Sequence, residues 1–255
     1  MISNIQFFAV LIMGACIGGI AGYIGSLMVT KRMALMGGAL GHLTLPGVSL
    51  GLLYGFDISL GALLFLGGGI FLIWLLEQRT KLPLEALTAV VFASSLAIAF
   101  LFLPEKEAYI ALIGNISNIP FFAIISSVLI SLIIFFIVRT IMPRLVLAGI
   151  SSDLACMEGY NVSRLTLVYL VCIALVVAMG VRIVGGLMTA ALVSIPACTS
   201  NNISKNLSRY CYASTLFGIL SCIIGMSISL IVEIPAGPLI IITSSLFFLI
   251  SLVFK

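Results

Sequence analysis

Nine apolar runs fill most of this chain, at about residues 5–29, 34–55, 58–76, 86–103, 121–141, 165–181, 183–198, 211–232 and 236–254, with short polar links between them. A helix that crosses hydrocarbon needs about 20 such residues, so nine crossings would take about 180 positions and leave about 75 for every connection. No room remains for a soluble enzyme domain. Inside a bilayer no irregular backbone can face lipid, so each run must be helical or be buried against protein. The composition agrees: 62% of the residues are hydrophobic and 8% charged, where a soluble domain carries roughly 25% charge. The expected fold is an all-α polytopic membrane protein, multi-pass, with about eight to nine transmembrane helices in a single domain over residues 1–255. The second run is interrupted by Pro46, and the sixth and seventh are short and meet near Arg182. A broken or re-entrant segment among these would reduce nine to eight.

Threading the runs alternately, with the N-terminus outside and the C-terminus cytoplasmic, places Lys31, Arg32, Arg79, Lys81, Arg139, Arg144, Arg164, Lys205, Arg209 and Lys255 on the cytoplasmic side. Only Lys106 and Arg182 then lie outside, as the positive-inside rule requires. Twelve basic against eight acidic residues are too few to build a nucleic-acid surface, so no nucleic-acid partner is expected. The N-terminal MISNIQFF lacks the positive flank of a secretory signal, so the first span is expected to stay in the mature protein. Six cysteines (Cys16, Cys156, Cys172, Cys198, Cys211 and Cys222) show no C-x-x-C spacing, which points to packing rather than to a disulfide framework or a zinc knuckle.

Glycines four apart, at Gly14, Gly18 and Gly22 and again at Gly47, Gly51 and Gly55, predict small faces where backbones approach closely. The triplet Gly67, Gly68 and Gly69 predicts a locally loosened third span. The longest polar interruption runs from about 143 to 164. Within it Ser151 or Ser152 is placed to cap a short helix that Gly159 would terminate. An element of this size reads as a docking surface or as an ordinary interhelical loop.

His42, the sole histidine, falls in the second run within MALMGGALGHLTLPGVSLG. An ionisable residue in a membrane span is costly and usually marks a pathway or a partner. Pro46 lacks an amide hydrogen, which leaves the His42 carbonyl without its helical donor and puts two potential ligands in one place. Imidazole suits transition metals, although a histidine can also simply hydrogen-bond a neighbouring helix. Glu85, after Pro83, reads as a helix-start charge; Glu77, Asp57 and Glu233 read as solvated edges. Met33, Met36, Met188 and Met226 read as packing, with thioether ligation of a soft metal the alternative. The chain has no G-x-x-x-x-G-K-[ST] loop, no H-E-x-x-H, no plausible serine elbow and no clustered intramembrane acids. ATP hydrolysis by this chain, intramembrane proteolysis and proton pumping are therefore unsupported. No enzyme activity is expected.

Three stretches together resemble the membrane permease subunits of bacterial ATP-binding-cassette importers for zinc, manganese and iron. In the first, Gly37, Ala39, Leu40, His42, Leu45, Pro46 and Gly47 match the family's Gly-Asp-Ala-Leu-Ser-His and Leu-Pro-Gly pattern. In the second, SSDLACMEGYNV, Ala155 and Gly159 match a family Ala and Gly four apart. In the third, Val184, Gly185, Ile195, Pro196 and Ala197 match a Val-Gly followed by Ile-Pro-Ala. The family's aspartate four residues before the histidine is Gly38 here, so only His42 of that pair carries over.

The resemblance implies a multi-pass subunit of the bacterial inner membrane that works as a dimer with a second permease protomer. It would take a divalent transition metal (zinc, manganese or iron) from an extracytoplasmic metal-binding protein and pass it inward. ATP would be hydrolysed on a separate cytoplasmic ATP-binding subunit, docked on the coupling segment at Asp153, Ala155 and Gly159. His42 would lie on the metal path, Pro46 and Pro196 would break helices to shape that path, and no cofactor would be bound permanently. An ATP-independent secondary carrier would need a coupling-ion site, which the sparse intramembrane charge disfavours, although broken helices can supply carbonyl ligands. A structural assembly protein would explain the glycine faces but not the histidine beside a cytoplasmic element. Imidazole does not choose among the three metals.

Overall fold

The computed structural model describes residues 4–31, 33–56, 58–80, 82–102, 119–186, 188–232 and 234–254. Among these, every regular element is helical. Arg32, Asp57, Lys81, Lys106, Glu233 and Lys255, all assigned to a side or an edge above, lie outside the described residues, as does the side chain of Arg182.

Helix α1 (Asn4–Thr30) is the central post. Its residues Met13, Ile17, Ile24, Leu27 and Met28 are almost fully enclosed. Lipid tails are as apolar as leucine, so helices in a membrane are held by close packing and interhelical hydrogen bonds rather than by hydrophobic drive. The stripe Gly14, Gly18 and Gly22 serves this purpose against α10 (Leu207–Val232). A Cβ at Gly14 would strike Met226, one at Gly18 would strike Cys222 and the Gly218 carbonyl, and one at Gly22 would strike the Ser214 carbonyl. Across the seam Ser214 Oγ donates to the Gly22 carbonyl at 2.6 Å. On another side of α1, Tyr169 Oη from α8 (Val162–Val184) donates to the Ile24 carbonyl at 2.9 Å.

The second apolar run is two helices, α2 (Ala34–Leu43) and α3 (Leu45–Tyr54), divided at Thr44. Pro46 falls in the first turn of α3, where a missing N–H costs nothing. Thr44 completes the joint: its hydroxyl donates to the Gly41 carbonyl, and its own carbonyl accepts from Val48 N at 2.8 Å. The expected second glycine face is shorter than its spacing implied. Gly47 does meet Gly61 of α4 (Ile58–Arg79) backbone to backbone, but Gly55 is the left-handed terminus of α3 (φ +73°), and a Cβ there would meet nothing within 4 Å among the described residues.

Helix α4 is continuous through Gly67, Gly68 and Gly69, against the expectation of a loosened turn. Unwinding there would leave backbone groups unpaired where no water can reach them, a larger cost than glycine's weak helix propensity. Helix α5 (Leu84–Phe102) starts at Pro83, whose carbonyl accepts from Ala86 N, and carries Glu85 in its first turn as expected. Helix α6 (Phe121–Ile150) has 30 residues, about 45 Å of rise, and so overshoots a hydrocarbon core of about 30 Å. It leads into the short α7 (Ser152–Met157) and then α8. Gly185, at φ +84°, ends α8. The apolar run drawn at 183–198 is therefore split, its start belonging to α8 and the rest to α9 (Thr189–Ile203). Helix α11 (Ala236–Ser251) follows α10 and closes with a 3-10 turn, Leu252–Phe254.

Six described helices are long and apolar enough to cross a membrane: Gln6–Thr30, Leu60–Arg79, Phe121–Ile150, Val162–Val181, Leu207–Val232 and Ala236–Phe254. The α2 and α3 helices and α9 are shorter than a full crossing, and α5 is apolar over the shorter stretch Leu84–Ala97. The six thiols are free, and Cys172, Cys211 and Cys222 are buried, as a packing role requires.

Candidate functional site

His42 sits in the last turn of α2, one residue before that helix ends. Its ring lies against Phe92 of α5, with centroids 5.2 Å apart at a tilt of 42°. The imidazole is half-buried, and its Nδ1 is enclosed without a hydrogen-bond partner among the described residues. An enclosed polar nitrogen left unpaired is costly, and in the tautomer protonated at Nε2 it offers a lone pair to a cation. The expected second ligand, the His42 carbonyl, is not left free: α2 ends at Thr44, whose backbone N–H donates to the Gly41 and His42 carbonyls.

The side of α2 adjoining His42 packs on the start of α9. A Cβ at Gly41 would strike the Gly186 carbonyl and Thr189 Oγ1, so α2 can reach α9 only with glycine there. Gly38 is less confined: a Cβ at that position would lie 3.4 Å from Ala190 Cβ and meet nothing else within 4 Å. Pro196, expected to break a helix, is instead buried inside α9, which runs on through it from Thr189 to Ile203. Met33, Met36 and Met226 are buried in the core, which favours their packing role. No group of three His, Cys, Asp or Glu side chains among the described residues could hold a metal ion. A cation at His42 would therefore need carbonyl oxygens, water or a second chain to complete its shell.

The polar interruption folds as its residue types predict. Ser151 Oγ accepts from Leu154 N at 3.3 Å and caps α7. At the other end Gly159 takes φ +82°, Gly159 N donates to the Cys156 carbonyl and Tyr160 N donates to the Ala155 carbonyl, both at 3.0 Å. This paired closure satisfies the last carbonyls of the turn. Ala155 is fully buried beneath the turn, whereas Asp153, Leu154, Met157 and Gly159 are exposed. The matched Ala and Gly are thus structural: one seats the element and the other ends it. Leu154 and Met157, 52% and 84% exposed, form the surface that a partner could cover. Gly159→Val is expected to strain this left-handed position by at least about 1–2 kcal/mol and to weaken assembly with a cytoplasmic ATPase while leaving membrane insertion intact. Co-purification of the two subunits checks this.

Two anchors of this element have no signature in the sequence. At its exit, Ser163 Oγ accepts from Trp74 Nε1 at 3.1 Å and Gln78 Nε2 at 3.3 Å, tying the start of α8 to α4. At its entry, Lys31 lies beside Gly149 at the end of α6 and within electrostatic reach of Glu77. Burial pushes the Lys31 ammonium below its usual pKa, an effect partly opposed by the Glu77 carboxylate. Glu77, expected at a solvated edge, is half-buried, and its Oε2 is enclosed without a hydrogen bond among the described residues. These contacts join residues from 46 to 118 positions apart in the chain, beyond the reach of any local pattern.

Residues 4–255 match the model of the ABC 3 transport family. Similar chains include a manganese transport system membrane protein of Listeria monocytogenes, 24% identical over 96% of this chain and 89% of that one. A high-affinity zinc uptake system membrane protein of Buchnera aphidicola is 26% identical over 96% of each chain. Among solved structures, PsaBC from Streptococcus pneumoniae in complex with Fab superposes with a TM-score of 0.81 at 24% identity, over 95% of this chain and 89% of that one. That likeness shows the shared fold. Because the family match runs from the first turn of α1 to the chain's last residue, this chain belongs to the ABC 3 transport family.

Proposed function

We propose that this chain is the permease subunit of an ATP-driven importer that carries a divalent transition metal across a bacterial inner membrane. Manganese and zinc are the first candidates, since relatives are named for them. The subunit works as a dimer, receives the ion from an extracytoplasmic binding protein, and docks a cytoplasmic ATP-binding subunit on the segment at 143–164. The observation that carries this reading within the family is the His42 imidazole, with its unpaired Nδ1 at the divided α2/α3 joint. It sits on the same chain as the exposed, doubly capped α7. Closure of the ATPase would move α7, and α4 and α8 would share that displacement through Ser163. The decisive experiment is co-expression with the ATPase and binding protein, measuring which metal accumulates and whether that metal stimulates ATP turnover. Metal uptake without any dependence on the ATPase would sink the reading in favour of a secondary carrier.

With the N-terminus outside and the C-terminus cytoplasmic, a membrane-impermeant thiol reagent added outside should label a cysteine placed at Phe122 and spare one at Lys205, once native thiols are removed. The reverse pattern overturns the orientation.

Gly38→Asp restores a carboxylate one turn before His42, on the same helix face. A Cβ there would lie in ordinary contact with Ala190 Cβ, at 3.4 Å. The expected result is a several-fold lower half-saturating metal concentration, with a lower maximal rate because release is slower. An unpaired carboxylate in the span costs about 2.5 to 3.5 kcal/mol, so the variant should also assemble less well when metal is scarce. Unchanged affinity in well-assembled protein would place position 38 off the ion path.

A further inference from the structure

A second polar site, apart from His42 and α7, lies where α6 and α10 meet. Arg139 of α6 is exposed, and its Nη1 donates to Tyr212 Oη of α10 at 2.5 Å. Arg139 stands 18 residues after Phe121, about 27 Å along the helix. Tyr212 stands 20 residues before Val232, about 30 Å along its own. Both distances come close to a hydrocarbon core of about 30 Å, so with Phe121 and Val232 at one membrane boundary the pair reaches the other, on the end of the bundle that carries α7.

The chemistry of the pair is incomplete as it stands. The Tyr212 oxygen accepts from Arg139, which leaves its own O–H to donate outward, and a guanidinium has five N–H groups of which this bond uses one. Arg209, exposed and one turn earlier on α10, shares the Tyr212 face. Neither helix contains a single Asp or Glu, so these cations have no counter-ion on their own elements. Towards the bilayer centre the same surface is apolar. Phe136 and Leu132 on α6, and Leu216 on α10, are 65%, 49% and 55% exposed.

We propose that Arg139, Tyr212 and Arg209 form a binding site for the phosphodiester headgroup of an anionic phospholipid, whose acyl chains lie along Phe136, Leu132 and Leu216. The match is one of shape and charge: N–H and O–H donors left over after the Arg139–Tyr212 bond, with no acid on either helix, directly above a hydrocarbon-facing wall. A free phosphate would use the donors and leave the wall unused. A second copy of this chain, docked through the same patch by a two-fold axis, would bring arginines against arginines.

The test uses the full-length chain purified in detergent, with retained lipid counted by native mass spectrometry and thermal unfolding followed in parallel. Phosphatidylglycerol is expected to be retained and to raise the unfolding temperature, and phosphatidylcholine to do neither. Each of Arg139→Gln and Arg209→Gln should weaken phosphatidylglycerol retention about fivefold, the increment of one basic residue near a membrane surface. Tyr212→Phe should weaken it less, and Arg139→Lys should keep most of it. Melting in phosphatidylcholine, equal for wild type and variants, confirms that the fold is intact; a variant that melts early there is replaced in the comparison by Arg139→Lys against Tyr212→Phe. The proposal is overturned by equal retention of the two lipids, by retention that none of the variants alters, or by displacement of phosphatidylglycerol by millimolar inorganic phosphate. A dimer that persists without lipid and dissociates in Arg139→Gln would equally overturn it, assigning the patch to a second copy.

Discussion

Gly18→Leu is expected to abolish assembly of the helical body. A Cβ at this position already collides with Cys222 Sγ and with the Gly218 carbonyl, and the contact is reciprocal, since a Cβ at Gly218 would strike the Gly18 carbonyl. A side chain at the end of a flexible rotamer could move aside, but backbone facing backbone cannot. The remaining response is to part α1 from α10, which would break the Ser214 hydrogen bond to Gly22 and strip close packing from the central post. Overpacking alone costs about 1–3 kcal/mol, and membrane helices have no hydrophobic drive to hold them together once parted. Folded protein recovered from membranes should fall about tenfold or more. Gly68→Leu is the control: nothing among the described residues lies within 4 Å of its would-be Cβ, so abundance should stay close to wild type. Equal recovery of the two variants would mean that the α1–α10 seam does not support the fold.

His42→Ala should separate transport from folding in the opposite way. The ring is half-buried and touches Phe92, so its loss removes modest packing and should leave abundance within about twofold of wild type. If the enclosed Nδ1 ligates the cargo ion, uptake at limiting metal should fall about tenfold or more, the scale at which even outer-shell ligands matter. Phe92→Leu distinguishes ligation from packing, because it removes the ring contact and keeps the imidazole; its uptake should remain near normal. Protonation removes the lone pair, so uptake through wild type should decline at acidic pH, and the alanine variant should lose that part of the pH dependence. Normal uptake by His42→Ala at limiting metal would make the residue structural and displace the proposed path.

The residues differ in how far their roles could be read along the chain. Ser151 and Gly159 were legible because capping and left-handed termination are settled within a few residues of the backbone they serve. Gly14, Gly18 and Gly22 were legible as a close-approach face, since spacing alone sets which residues share a helix side. Their partners on α10 were not legible. Gly67, Gly68 and Gly69 misled, because intrinsic propensity is outweighed when the surroundings offer no water to an opened backbone. Glu77 misled for a related reason: proximity to a membrane boundary says nothing of which neighbouring helix encloses it.

Apolar run length defined an all-helical membrane chain, because bilayer thickness and backbone hydrogen bonding act on each segment separately, and three stretches together, around His42, at 151–162 and at 184–200, pointed by resemblance to its family. Three-dimensional packing was needed to divide α2 from α3 at Thr44, to end α8 at Gly185, and to anchor the coupling element through Ser163, Trp74 and Gln78. It was also needed to set Phe92 against His42 and Tyr212 against Arg139. Each of these depends on which face of a distant helix arrives at a given height. Helix period and run length leave that choice open, and it is made by the fit of small residues and hydrogen bonds across the seams.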